Sequence, residues 1–513
     1  MKNFRKILKY FIWFIGVIIV LLISLYFFIQ TETFNRWALN FALNKLNNSE
    51  SWLKKENTVT VESINGNILK GLRVNNILIT VKKDTLVSIN YIDLKYDIWG
   101  LLKQNINLDY IVLNSPKVNL TKIKGGADSL VWNFTNLFTP SADTTPSQFN
   151  WDILINNLRV ENGKFKILGN IPSKPLWAVQ WERQNEFNFN DLDIFDFQLD
   201  MTGEYSEKFK KINLRNLSFN SNTDITLKKL SFEANINIQD TLTEISNLEL
   251  LTDRSDIKLS RLSVNALNPL DSNAFSNLGN KNVSLVLNVK KFNFADLKYF
   301  IPSVDMLDSV VSLSIDASGV YKNLNINDLI LTLPNSNINL KGNVQNLSNI
   351  DSLYFDVTTS DKIDPADIKT ILKIKSIPDY RKLGVVLADI SYRGSINDFY
   401  SNFNIRSSGG DVQGQVHLNI EDKRYSGNVI TDNLNLALIL NDNKLKSNIN
   451  LVAKFEGSGF SPNTMSTGVR YTLGRSSAAG YNIASSNGTV NIYRNNISLN
   501  IKANSSAGNA AVS

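Results

Sequence analysis

The sequence predicts a mainly β protein: an N-terminal transmembrane helix, then an elongated, curled antiparallel β-sheet of repeating hairpins with an apolar interior. Three observations predict it. Tyr10 to Ile29 reads YFIWFIGVIIVLLISLYFFI, 20 residues without a charge. From about Val59 onward apolar and polar residues alternate in run after run, which is the period of a strand with one buried face. The runs are separated by Asn, Asp, Ser and Gly clusters, which favour turns, and few ten-residue helical patterns intervene. Long successions of such strands suit antiparallel meanders rather than βαβ units.

The first element is the apolar run. At 1.5 Å per residue it spans roughly 30 Å, the thickness of a bilayer core. Lys2, Arg5, Lys6 and Lys9 precede it, which predicts a cytoplasmic N-terminus and a single pass, with the bulk of the chain across the membrane. Tyr10, Trp13 and Tyr26 sit near the ends, where aromatic belts form, and Phe14, Ile19 and Leu22 lie between them as membrane-facing anchor residues. The residues after the run, QTETFNRW, offer no small-residue cleavage site, so the anchor is expected to stay. A short amphipathic helix is expected next, over 31–50. Thr31 or Thr33 caps it, and Phe34, Trp37, Ala38, Phe41, Ala42 and Leu46 recur at helical spacing. That helix either lies at the membrane surface or plugs the end of the β body.

The strands follow. Ile92, Leu94, Tyr96 and Ile98 alternate with polar residues, as do Ile106, Leu108, Tyr110 and Val112. Phe195, Phe197, Leu199 and Met201 repeat the pattern, and so do Val283, Leu285, Leu287 and Val289. Trp132–Phe138, Ala295–Ile301 and Pro365–Leu372 read as short helical turns. Stretches 217–236, 248–267 and 329–347 each give a strand, a polar turn and a second strand with Ile-x-Leu, a loose hairpin repeat of about 20 residues. The expected organisation is a cytoplasmic tip and anchor (1–30), the amphipathic helix (31–50), a first β segment (51–138), a Pro/Ser/Thr-rich loop (139–147) and a repetitive β body (148–513). If about 30 strands stack at roughly 4.8 Å each, the sheet runs on the order of 140 Å. Its apolar side then forms a trough, lined by Ile92, Leu94, Leu108, Tyr110, Phe197, Leu199, Leu285, Leu287, Leu331, Leu333, Ile338 and Leu340. A trough either fills itself with side chains or holds an apolar ligand, and periodicity does not decide between these.

Composition narrows the function classes. The chain has 513 residues, 43% hydrophobic, with one His and no Cys. That removes disulfide frameworks and thiolate metal sites, and leaves His417 as the one candidate imidazole. His417 lies among alternating residues in GQVHLNIED and reads as a solvated strand histidine. Asp191/Asp193 and Asp361/Asp364 read as solvated turn acids. The segment SGGDVQG at 408–414 lacks the Lys and the following helix of a phosphate loop. Net charge is +7, and four of the positives stand before the apolar run, so no concentrated basic face points to nucleic acid. No enzyme activity, cofactor or metal is expected.

Three stretches resemble the AsmA-like superfamily, and within it most closely the N-terminal part of TamB-type inner-membrane subunits of translocation and assembly modules. They are the anchor with its amphipathic segment; VESINGNILKGLRVNNILI at 61–79 running into INYIDLKYDIWGLLKQNINLDYIVLNSPKVNL at 89–120; and DLILTLPNSNINLKGNVQNL at 328–347 with GSINDFYSNFNIRSSGGDVQGQVHLNI at 394–420. Gly66 and Gly71 bracket a hairpin as in the family's opening motif. The family's most recognisable region lies near the C-terminus of a longer chain and is not seen here. The chain is therefore expected to be either the N-terminal part of such a protein or a shorter AsmA-like relative. The resemblance implies an inner-membrane anchor, a β groove reaching through the periplasm of a Gram-negative envelope, and membrane lipids as the partner. It implies phospholipid transport to the outer membrane in support of outer-membrane biogenesis. The alternative it implies is a scaffold for assembling outer-membrane β-barrels with an Omp85-type partner, met through the C-terminal part.

Overall fold

The computed structural model describes all residues except 1, 49–52, 125–129, 140–150, 170–187, 189, 224–225, 238–241, 269–275, 297–309, 350–351, 368–379, 479, 507 and 513, and for residues 2–14 the backbone alone. The chain divides into two compact units: Met1–Asp240 with Glu249–Asp253, and Thr241–Leu248 with Arg254–Ser513. Both are mainly β. The loop expected over 139–147 lies outside the described residues apart from Thr139.

In the first unit helix α1 runs Lys2–Phe28 and helix α2 runs Glu32–Asn48. Thr31 is the cap: its Oγ1 accepts the Phe34 N–H at 3.2 Å, which satisfies one of the free donors of the first turn. Among the described residues no single helix is long and apolar enough to cross a membrane; one bent pair, Ile15–Phe28 with Glu32–Asn48, meets the length and composition together at 76°. Tyr10, Trp13 and Phe14 have side chains outside the described ones. Ile19, Leu22 and Tyr26 are exposed.

The strands of this unit pair in near-sequential order: Thr58–Asn67 with Gly71–Val81, then Asp84–Asp97, then Asn105–Asn114 continued by Lys117–Lys124. Next come Asp152–Leu168, Asp191–Tyr205, Phe209–Ser221 and Leu227–Asn237. All the pairings of this unit are antiparallel but two. Asn105–Asn114 and Lys117–Lys124 both run parallel to Asp152–Leu168. This departs from the strict antiparallel expectation. A parallel neighbour needs a crossover of a dozen or more residues, and the chain between Lys124 and Asp152 supplies it. In that crossover Leu130–Trp132 pairs back on Lys117–Lys124 and Asn133–Asn136 makes one 3-10 turn, where a helical turn was expected.

The second unit is a meander. Asp256–Asn265, Asn282–Asn293, Val310–Val320, Asn323–Thr332, Asn337–Gln345, Tyr354–Ile363 and Val386–Ser395 pair antiparallel, each with the next. The ladder continues through Asp398–Ser407, Gly410–Asn419, Arg424–Leu434, Ser447–Ser458, Ser466–Leu473, Tyr481–Tyr493, Asn496–Ser505 and Gly508–Val512. Strand Leu242–Thr252 is divided between the units. The hairpins expected within 217–236 and 329–347 are present, and 248–267 holds the end of Leu242–Thr252, a turn and the whole of Asp256–Asn265. Phe294–Asp296 forms a 3-10 turn and Pro365–Asp367 is helical; the rest of both expected helical stretches lies outside the described residues.

Fully buried apolar side chains gather both at strand ends and within the ladder, where Ala317, Ile326, Val344 and Val357 pack across four neighbouring strands. Leu53, Val81, Leu86 and Leu137 close one hairpin end in the first unit. Val264, Leu267 and Val283 do the same in the second. Among the described residues the helices after Asn48 are short turns, too short to lay a second layer over the strands.

Candidate functional site

Register decides which side chains share a face, because a strand alternates faces with every residue. In the first unit it produces three apolar rows running across the strands. One is Val74–Ile92–Leu113–Val160–Leu199–Leu217–Leu230. A second is Leu72–Leu94–Ile111–Leu158–Met201–Leu214–Phe232. A third holds Tyr96, Leu108, Ile155, Gly203, Ile212 and Ala234. Ile92 and Leu199 therefore share a row, and Leu94 and Leu108 lie in its neighbours. Phe197 sits opposite Gly163, with its ring 4.8 Å from that of Phe165. A Cβ on Gly163 would come within 3.2 Å of the Phe197 ring, so the missing side chain leaves room for that ring.

Tyr110 does not join these rows. The register between Asp84–Asp97 and Asn105–Asn114 slips between Lys95 and Tyr96, so that Lys95 faces Tyr110 while Tyr96 faces Leu108. The extra residue turns Asp109 and Tyr110 outward, and Lys95 Nζ pairs with Asp109 Oδ2 at 3.0 Å.

The second unit repeats the arrangement over more strands. Leu262–Leu285–Ala317–Ile326–Gly342–Val357–Tyr392 is one row, carried on by Ser401, Val416, Gly427, Phe455, Val469, Val490 and Leu499. Leu259–Leu287–Ile315–Leu329–Leu340 begins a second, and Leu313, Leu331 and Ile338 lie in a third. Leu333 is buried at the turn between the last two of these strands, where its N–H donates to Ser336 O at 2.9 Å. Aromatic rings fill the space over backbone: Phe455 covers Gly427, and a Cβ there would meet its ring at 2.8 Å and Gln415 O at 2.4 Å. Tyr392 and Phe399 stack at 4.6 Å.

The opposite face of both units is polar and paired across strands. Arg73 grips Asp93 at 2.6 Å, Asp200 sits between Arg159 and Arg215, and Arg393 grips Asp356 at 2.6 Å. These pairs hold both arginines, Arg73 and Arg393, above the usual guanidinium range through hydrogen bonding and charge. The contrast between faces is the chemical content of the site: one side solvates itself, the other offers hydrocarbon. The apolar rows are half-buried along most of their length, while Val160 in the first unit and Ala317, Ile326 and Val357 in the second are buried outright.

The expected polar candidates fall elsewhere. His417 lies on the polar face, stacked on Tyr400 at 4.0 Å, with Nε2 2.7 Å from Asp398 Oδ1. His417 and Tyr400 line an open hollow of about 1050 Å³ of mixed polarity, with Arg393, Gln415 and Lys454 beside Val416 and Phe455. Asp361 is buried rather than solvated: it accepts the Asn339 N–H at 2.9 Å and the Thr359 hydroxyl. Asp364 caps the next turn by accepting Ala366 N–H at 2.9 Å. Burial pushes the Asp193 carboxyl up, against the pull of Lys166 and Lys164. Among the described residues no cluster of three His, Asp or Glu has metal-binding geometry. Asp367, buried against Asn335, was not legible as a structural acid. Comparison with family models, with curated proteins and with solved structures finds no match.

Proposed function

We propose that this protein is a membrane-anchored lipid conduit of the AsmA-like, TamB type, whose apolar sheet face carries phospholipid acyl chains between the inner and outer membranes. The observation that carries the reading is the run of half-buried apolar rows, continued strand after strand in each unit and backed by a self-paired polar face. An acyl chain in water costs roughly 0.8 kcal/mol per CH₂, so a dry strip that accepts it lowers the barrier to crossing an aqueous gap. Headgroups stay at the open side. A second support is α1, in which Leu21, Leu22 and Phe27 are each more than half exposed around the helix. A helix that is apolar all round asks for a nonaqueous surrounding, and the uncharged Tyr10–Ile29 run with its basic flank fits a bilayer. The reading assigns no chemistry to any side chain.

The test is Leu285→Asp in the full chain, assayed for phospholipid transfer between donor and acceptor vesicles, with circular dichroism as the fold control. The conduit reading expects transfer to fall while the β spectrum persists. Unchanged transfer with an intact fold, together with no phospholipid co-purifying from detergent extracts, overturns it.

A further inference from the structure

We propose that α2 lies in the headgroup boundary of the membrane that α1 crosses, aromatic side down, and thereby holds the first strand of the sheet parallel to the bilayer. This rests on the membrane reading of α1 and adds the placement of the sheet's first edge. Four rings form a continuous ladder from the end of α1 along α2: Phe28 to Phe34 at 5.6 Å, Phe34 to Trp37 at 5.5 Å, and Trp37 to Phe41 at 5.7 Å. Trp37 is 59% exposed and Phe41 58% exposed, although both are large and apolar. The stacked, exposed pair Trp37–Phe41, joined through Phe34 to the end of an apolar helix, matches the amphipathic belt of a bilayer interface.

The bend supplies the orientation. The helices meet at 76°, so if α1 stands across a bilayer, α2 lies nearly in its plane. The other side of α2 is committed to the sheet. Asn35 Nδ2 donates to Gly66 O at 2.9 Å, and Asn47 both accepts Val59 N–H and donates to Val59 O at 2.8 Å. α2 thus runs along the edge of Thr58–Asn67, and its asparagines satisfy edge groups that would otherwise seek another strand. Gln30 Oε1 accepts from Asn67 Nδ2 at 2.7 Å and fastens the elbow to the same hairpin. Helix, first strand and membrane surface are then mutually parallel, so an acyl chain leaving the leaflet meets the apolar face of the sheet at its first strands.

The chain has no cysteine, so single labels can be placed without background. Leu22→Cys, Trp37→Cys, Phe41→Cys and Arg36→Cys are each spin-labelled in the full chain and reconstituted into phosphatidylethanolamine–phosphatidylglycerol vesicles. Relaxation by lipid-soluble oxygen is compared with relaxation by a water-soluble nickel chelate. Arg36 is displaced around the helix from the ladder residues Phe34, Trp37 and Phe41 by roughly 100–160°. The expected result is oxygen-dominated relaxation deep in the bilayer at 22, at headgroup depth at 37 and 41, and nickel-dominated relaxation at 36. Nickel-dominated labels at 37 and 41 beside a deep label at 22 overturn this inference and leave the anchor standing; so do labels at 37 and 41 as deep as 22, which mark a re-entrant helix. A label at 22 in water overturns the membrane reading itself.

Discussion

Asp367 is 1% exposed, and its two oxygens are taken by the N–H of Asn335 at 2.9 Å and the Asn335 side-chain amide at 3.0 Å. A buried donor that loses its acceptor costs about 1–3 kcal/mol, so Asp367→Ala should lower unfolding stability by that amount in a denaturant titration. Asp193 predicts a pH effect of opposite character. Its carboxyl is raised by burial, so the folded chain holds the proton more tightly than the unfolded one. The associated stability is present below the ordinary carboxylate value of about 4 and is lost as pH rises through the raised value. Asp193→Asn should therefore leave stability unchanged near pH 3 and raise it at pH 7, read by thermal melts at both. Neither acid was legible as structural in the sequence. An Asp in a polar turn cluster looks the same whether water or a backbone amide from 30 residues away satisfies it.

Elements were more legible than residues, because alternation is a local signal and register carries it across the sheet. Ile92 and Leu199, 107 positions apart, meet in one row because each sits in phase within its own strand. Phase is lost where a strand carries an extra residue. Tyr110 follows Leu108 by two, as an inward residue should, yet the slip opposite Lys95 turns it out to 39% exposure. The parallel pairing of Asn105–Asn114 with Asp152–Leu168 was equally hidden, since periodicity reports a strand's faces and not its neighbours. Glycines that seat aromatic rings are a device at this scale. Gly427→Ala places a methyl 2.4 Å from the Gln415 carbonyl and under the Phe455 ring, which should cost about 1–3 kcal/mol. Hydrogen exchange should show the loss centred on Gly410–Asn419, Arg424–Leu434 and Ser447–Ser458, and protection unchanged there would contradict the packing described.

At the scale of the whole molecule, two mainly β units share one design: mainly antiparallel ladders with a charged, cross-paired face and an apolar face that is half-buried along most of its rows. An ordinary domain covers such a face with a second layer, because hydrocarbon left in water costs about 25 cal/mol per Å². Here the described helices after Asn48 are too short to provide one, so the open rows need an occupant or each other. The lipid account assigns the occupant, and the scarcity of His and Cys agrees with work done by a surface. The most direct measurement is photocrosslinking in intact cells, with a photoreactive residue replacing Leu285 on the apolar face or Asn288 on the polar one, where Asn288 meets Ser314. The account predicts phospholipid adducts, identified by mass spectrometry, at 285 and not at 288. Adducts at neither position, or equally at both, would contradict it.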